Sequence, residues 1–218
     1  WAMTGMNKSC SMSTEPQVAA LSSTAGWSEY RPVSAMFVDL EDSVEMIGRL
    51  GPETYNAALR AFHNLVTVQV RMFNGEVAQY LGDGVMCLFH RGCGALGRAA
   101  AAIAAGISIA EAMRRPGAPC AANVRVGIAS GPALFSQGSS AAGVRAVGNC
   151  INLAARLQGA ARPGCVLICG ESRRGAEDLF DLQPWPLPRL KGFAEEQACW
   201  QVCAAQAGRG DRAERRAA

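Results

Sequence analysis

The chain has 218 residues, 50% hydrophobic and 18% charged, which is enough apolar mass for one domain with a sizeable core and too much for wholesale disorder. Its 21 Lys and Arg against 18 Asp and Glu give a formal charge of +3, of which Arg209, Arg212, Arg215 and Arg216, opposed by Asp211 and Glu214, contribute +2; the remaining body is nearly neutral and lacks the basic face of a nucleic-acid-binding domain. The longest apolar run, Ala99–Ala110, is broken by Gly106 and Ser108 and falls short of the ~20 residues a membrane span needs, and Trp1–Thr14 has no apolar signal-peptide stretch.

Residues 1–30 are polar and irregular and read as a flexible N-terminal segment, so the ordered body is expected over 31–203, followed by a disordered tail over 204–218. Val33–Leu40 is an apolar run of strand length. From about Val44 to Met72 the apolar residues recur at helical spacing, interrupted by Gly51-Pro52, where Pro52 suits the first turn of a second helix. Glu76–Leu81 and Val85–Phe89 flank Gly82-Asp83-Gly84, which predicts a hairpin with one carboxylate at its tip. An Ala-rich helix follows over Gly94–Arg114, then a strand over Asn123–Ser130, a further short strand after Gly131-Pro132, and a Gly/Ser-rich loop over Ser136–Gly148. Asn149–Ala161 reads as a helix, Cys165–Cys169 as a strand and Glu171–Asp178 as a short helix. Pro184, Pro186 and Pro188 predict a rigid loop, and Lys191–Cys203 holds a last strand. Two βαβ-like halves with hairpins predict an α+β sandwich of ferredoxin-like βαββαβ type with extra C-terminal elements. The nine cysteines form no CxxC pair, and Cys165/Cys169 and Cys199/Cys203 lack histidine partners, which reads as reduced thiols of a cytoplasmic protein.

Asp39 ends an apolar strand and Asp83 occupies a tight hairpin tip. Two carboxylates at neighbouring strand ends suit a hard divalent cation, and both are equally ordinary turn formers. Asn152 and Arg156 lie one turn apart on one helix after a Gly-rich loop, where they suit a sugar hydroxyl and a phosphate, or are simply a solvated pair.

The stretches FVDLEDSVEMIGRLGPE, YLGDGVMCLF, RVGIASGPALF, VGNCINLAARLQGAARPGCVLICGES and LKGFAEEQACWQV, in that order from about Val33 to Val202, resemble the class III nucleotidyl cyclase catalytic domain. The resemblance implies conversion of a nucleoside triphosphate to a 3′,5′-cyclic monophosphate and pyrophosphate, by a homodimer with sites at the protomer interface. It implies that Asp39, Asp83 and the Leu40 carbonyl hold two divalent ions, Mn²⁺ or Mg²⁺. It implies further that Asn152 orients the ribose, that Arg156 stabilises charge at the α-phosphate, and that Lys191 and Arg125 meet phosphates. The metal residues of one protomer would face Asn152, Arg156 and Lys191 of the other. Asp42-Ser43-Val44 departs from the Gly-Ser-Thr or Gly-Phe-Thr common in the family.

The base-reading positions depart further. Where adenylate cyclases carry Lys four residues before the second metal Asp and Asp or Thr seven before the Asn, this chain has Gln79 and Arg145; guanylate cyclases carry Glu at the first position. Gln79 is expected to alternate with Val77 and Leu81 on one strand face, and Arg145 to sit in a Gly-flanked loop. A guanidinium only donates, so it suits the O4 and O2 acceptors of uracil and the O6 and N7 acceptors of guanine better than the amino group of adenine or cytosine. With a long side chain filling the room of a second ring, UTP is the expected substrate and cyclic UMP the product. The chain also resembles free-standing bacterial pyrimidine cyclases of anti-phage signalling, whose product activates a separate effector. A cyclase acting on CTP, ATP or GTP, and a non-catalytic nucleotide-binding regulatory module, are the alternatives.

Overall fold

The computed structural model describes residues 28–92, 96–118, 122–137, 144–187, 189–193 and 195–205. The expected lead-in up to position 27 and the expected tail beyond position 205 lie outside the described residues. Along the chain run β1 (Ser28–Leu40), α1 (Ser43–Leu50), α2 (Pro52–Met72), β2 (Glu76–Leu81), β3 (Gly84–Phe89), α3 (Gly97–Arg114) and β4 (Val124–Gln137). These are followed by β5 (Val144–Val147), α4 (Asn149–Ala160), β6 (Val166–Cys169), α5 (Gly170–Arg174), β7 (Phe180–Trp185) and β8 (Cys199–Ala205).

One sheet carries all of them in the order β2-β3-β1-β4-β6-β8-β7, with β5 paired to β4. The first four, β2-β3-β1-β4, pair antiparallel and form the expected βαββαβ half. β6 joins parallel to β4, and β8 and β7 follow antiparallel. Side-chain alternation splits the core into two layers. Met36, Val38 and Leu40 of β1 face α1, α2 and α3 in one cluster with Phe62, Val66 and Ile103. Val33, Ala35 and Phe37 face the other way, into a cluster with Leu153, Ala154 and Leu157 of α4. None of the described helices is long and apolar enough to cross a membrane.

The structure corrects several expected boundaries. β1 starts at Ser28 rather than near Arg31, because Ser28–Tyr30 pair with Leu134–Ser136 beyond the apolar core. β4 continues through Gly131-Pro132 as one strand. Pro32 and Pro132 face each other where both backbone nitrogens point away from the β1–β4 pairing: the Val126 and Ser130 amides, in step with Pro132, turn toward β6, and the Leu40 amide, in step with Pro32, turns toward β3, so neither proline costs this ladder a bond. Part of the expected 136–148 loop is strand: β5 pairs with the end of β4, and Arg145 stands opposite Ser136 in that pairing rather than in a loop. α3 begins at Gly97, α5 spans only Gly170–Arg174, and the last strand expected within 191–203 is Cys199–Ala205, which runs two residues past it. The proline-rich stretch is not all loop. Pro184 lies in β7 at the sheet edge, where a missing ladder donor is tolerated.

Candidate active site

The site forms where β1 ends. Asp39 sits opposite Gly84 on β3 and Arg125 on β4, and the Asp39 and Arg125 side chains lie on the α4 side of the sheet. The Gly82-Asp83 turn folds over this end, and the Leu40 amide donates to the Asp83 carbonyl at 3.3 Å. Gly82 has φ 69°, a conformation glycine adopts without strain, so the turn can be this tight. Asp39, Leu40, Asp42, Ser43, Asp83 and Arg125 line an open cleft of about 480 Å³. A larger cleft of about 850 Å³ toward the opposite end of β1 gathers none of the residues the sequence singles out.

Each carboxylate is held by one oxygen. Gln158 Nε2 of α4 donates to Asp39 Oδ2 at 3.2 Å, and Arg125 Nη2 lies 3.6 Å from the same atom. Ser43 Oγ donates to Asp83 Oδ2. Among the described residues, Oδ1 of both aspartates accepts no hydrogen bond. Burial, and secondly the nearby Asp83 carboxylate, raise the Asp39 pKa above its ordinary value; Arg125 and the Gln158 hydrogen bond oppose this. Among the described residues, buried Arg125 Nε has no hydrogen-bond partner. Two carboxylates that repel one another, each with a free oxygen in a cleft that Leu40 also lines, fit a hard divalent cation, which takes oxygen donors and keeps sites for water or phosphate. No group of three His, Cys, Asp or Glu side chains suited to a metal ion comes together among the described residues, so the protein's share would be these two side chains and Leu40.

The other predicted residues stand apart from this pair. Asn152 and Arg156 are exposed on α4, and Lys191 is exposed between β7 and β8. Gln79 and Arg145 are exposed on β2 and β5. None of the five bonds to Asp39 or Asp83 within the chain. Gln79 does not share a face with Val77. A bulge at Ala78 breaks the alternation: Val77 pairs with Cys87 and packs toward α2, whereas Gln79 pairs with Met86, whose side chain lies on the α4 side. Leu81 remains on the same face as Gln79, as expected.

Sequence reasoning missed Gln158, Ser43 and His63. His63 Nε2 donates to the Gly82 carbonyl at 3.0 Å, and its ring lies 4.6 Å from that of Tyr80, so α2 braces the tip carrying Asp83. The one local signal for Gln158 was a long amide among Ala154, Leu157 and Ala161 on the buried side of α4.

A family model for the adenylate and guanylate cyclase catalytic domain matches residues 27–202. An uncharacterized protein of Rhizobium meliloti is 32% identical over 185 residues, which is 83% of this chain and 18% of that protein. An uncharacterized protein of Mycobacterium tuberculosis is 33% identical over 158 residues, covering 72% of this chain and 37% of its own length. The chain therefore spans well under half the length of these curated relatives. Among solved structures, the adenylyl cyclase CyaB from P. aeruginosa superposes with a TM-score of 0.75 at 22% identity, covering 83% of this chain and 98% of that one. The guanylate cyclase domain of RhGC from Catenaria anguillulae, in complex with GTP, gives 0.74 at 18% identity, covering 82% and 100%. With the family match over most of the length and this shared fold, the chain belongs to the adenylate and guanylate cyclase catalytic domain family.

Proposed function

We propose that this domain cyclises a nucleoside triphosphate, with UTP the preferred substrate. The ribose 3′-oxygen attacks the α-phosphorus, a new O–P bond forms, the bond to the β-phosphate oxygen breaks, pyrophosphate leaves, and the hydroxyl proton is lost to solvent. The observation that carries this reading is the Asp39–Asp83 pair, each carboxylate tethered through Oδ2 and open at Oδ1. Divalent cations held by Asp39, Asp83 and the Leu40 carbonyl would supply charge neutralisation for the triphosphate and acidify the 3′-hydroxyl. Asn152 would orient the ribose, Arg156 would meet charge growing on the α-phosphate, and Lys191 and Arg125 would take phosphate oxygens. None of Asn152, Arg156 and Lys191 bonds to the acidic pair of its own chain. That supports a homodimer in which a second copy completes each site.

The uracil preference rests on Gln79 facing the α4 side and on Arg145, whose guanidinium offers only donors. The similar solved structures include an adenylyl and a guanylate cyclase, and the Gln79 amide both donates and accepts. Purine cyclisation is therefore the second reading. On the first reading the cyclic pyrimidine product is a cytoplasmic signal to a separate effector in anti-phage defence. Incubation with ATP, GTP, CTP and UTP separately, with Mn²⁺, and mass spectrometry of the products tests this. Dominant cyclic UMP, lost in Asp83→Ala, is the expected result. Cyclic AMP or GMP would overturn the base assignment, and no product from any nucleotide would favour a regulatory module. Phage plating on cells carrying the active gene or Asp83→Ala tests the defence role, which equal plating would refute.

A further inference from the structure

We infer that Gln158 is a positioning residue that aims Asp39 at its cation. The inference rests on the metal-dependent cyclase reading above. Gln158 Nε2 bonds Asp39 Oδ2 across 119 positions of sequence, and that is the side-chain hydrogen bond its amide makes among the described residues. With Oδ2 engaged there and 3.6 Å from Arg125, Oδ1 is left on the side of Gly84, 3.4 Å from where a Cβ of that residue would stand. A carboxylate with one oxygen fixed has one oxygen to offer, in one direction. An amide does this without charge, so it orients Asp39 without adding to the positive charge that Arg125 already places 3.6 Å from Oδ2; a second cationic donor in its place would compete further with the metal.

The amide is itself fixed. α4 lies directly on β4 at Gly127, where a Cβ would fall 2.1 Å from the Gln158 nitrogen and 2.3 Å from the Ala154 carbonyl oxygen. With no side chain between helix and strand, the distance from α4 to the β1 end is set by backbone contact, and Gln158 spans it.

Two full-chain variants test this: Gln158→Met, which keeps length and helix preference but cannot donate, and Gln158→Asn, which keeps the amide but is one methylene too short. Titration with Mn²⁺ alone, followed by electron paramagnetic resonance, should show binding weakened about 10-fold in both, as is typical for a lost partner of a metal ligand. Metal-free melting should fall only by the few degrees that one half-buried hydrogen bond is worth, with the cooperative transition kept. Wild-type Mn²⁺ affinity in either folded variant overturns the inference.

A second arm separates aiming Asp39 from merely packing α4. Co-expressed Asp39→Ala and Arg156→Ala protomers would leave one complete interfacial site per dimer. Gln158→Met on the protomer that keeps Asp39 should cut turnover about 10-fold. On the protomer that already lacks Asp39 it should change nothing. Equal losses in both positions would mean a packing role and overturn the inference. Failure of the unmarked mixture to regain activity would instead refute the two-site dimer and leave the Mn²⁺ result standing.

Discussion

Replacing Gly127 by Ala places a methyl group between α4 and β4. Its carbon would lie 2.1 Å from the Gln158 nitrogen, 2.3 Å from the Ala154 carbonyl oxygen and 2.8 Å from the Gln158 Cα. All three are backbone atoms, so no rotamer change relieves the clash. To reach ordinary contact, the C-terminal half of α4 must lift by about 1.3 Å. Overpacking of this kind costs about 3 kcal/mol, the upper end of the usual range. Loss of glycine's freedom in the unfolded chain returns about 0.7 kcal/mol. The net, about 2 kcal/mol, corresponds to a fall in Tm of roughly 4–8 °C for a chain of this size. The Gln158–Asp39 bond, already 3.2 Å, would pass the ~3.5 Å limit, and Arg156 would move with the helix, so product formation should drop about 100-fold. Scanning calorimetry and a cyclic-nucleotide assay on the same preparations measure both. Gly159→Ala is the control: it is on the same helix with nothing within 4 Å, and should gain up to about 1 kcal/mol. A Gly127→Ala protein melting within about 2 °C of wild type with undiminished turnover would refute the close packing of α4 on β4 as the element that sets the site.

The Asp39 pKa is raised by burial and by Asp83, so its stabilising share is full below the ordinary value of 3.8 and is lost as pH rises through the folded value. Asp39→Asn should therefore raise the metal-free Tm at pH 7, with the gain shrinking toward acid; thermal melts across pH check it, and a pH-independent difference would contradict it. His63→Ala removes the bond to Gly82 and the Tyr80 ring contact, for a loss of about 1–2 kcal/mol. In kinetics it should raise the Mn²⁺ concentration needed for half-maximal turnover more than it lowers the maximal rate. A pure drop in rate would mean that the hairpin tip needs no brace. Arg145→Ala should relax the choice among nucleotides while sparing the maximal rate with the best one, measured as ratios of kcat/KM; unchanged ratios would remove Arg145 from base reading.

The two carboxylates were legible because local rules placed them. An apolar strand that stops at Asp39 and a Gly-Asp-Gly tip are patterns a few residues long, and the backbone obeys them where they stand. The βαββαβ half followed from the same local alternations. What stayed hidden depends on partners far along the chain. Pro132 reads locally as a strand breaker, because only the pairing shows that its missing N–H points away from β1. Pro184 looked like loop because nothing local says that β7 lies at a sheet edge. Arg145 became strand through pairing with the end of β4. Gln158, an ordinary helix residue in sequence, gains its role from Asp39, far earlier in the chain.

The bulge at Ala78 works as an expansion joint in β2. Tip-ward of it, Leu81, Tyr80 and Gln79 keep step with Gly84, Val85 and Met86, so the four-residue interval from Gln79 to Asp83 is locked to the hairpin. Behind it, Val77 keeps step with the helical layer. The extra residue at the bulge takes up the mismatch between the two, while α2 reaches the tip-ward part directly through His63 and Thr67. The interval from Gln79 to Asp83 is therefore a fixed ruler, and repacking of the stretch before Ala78 leaves its length unchanged so long as His63 keeps its hold on Gly82.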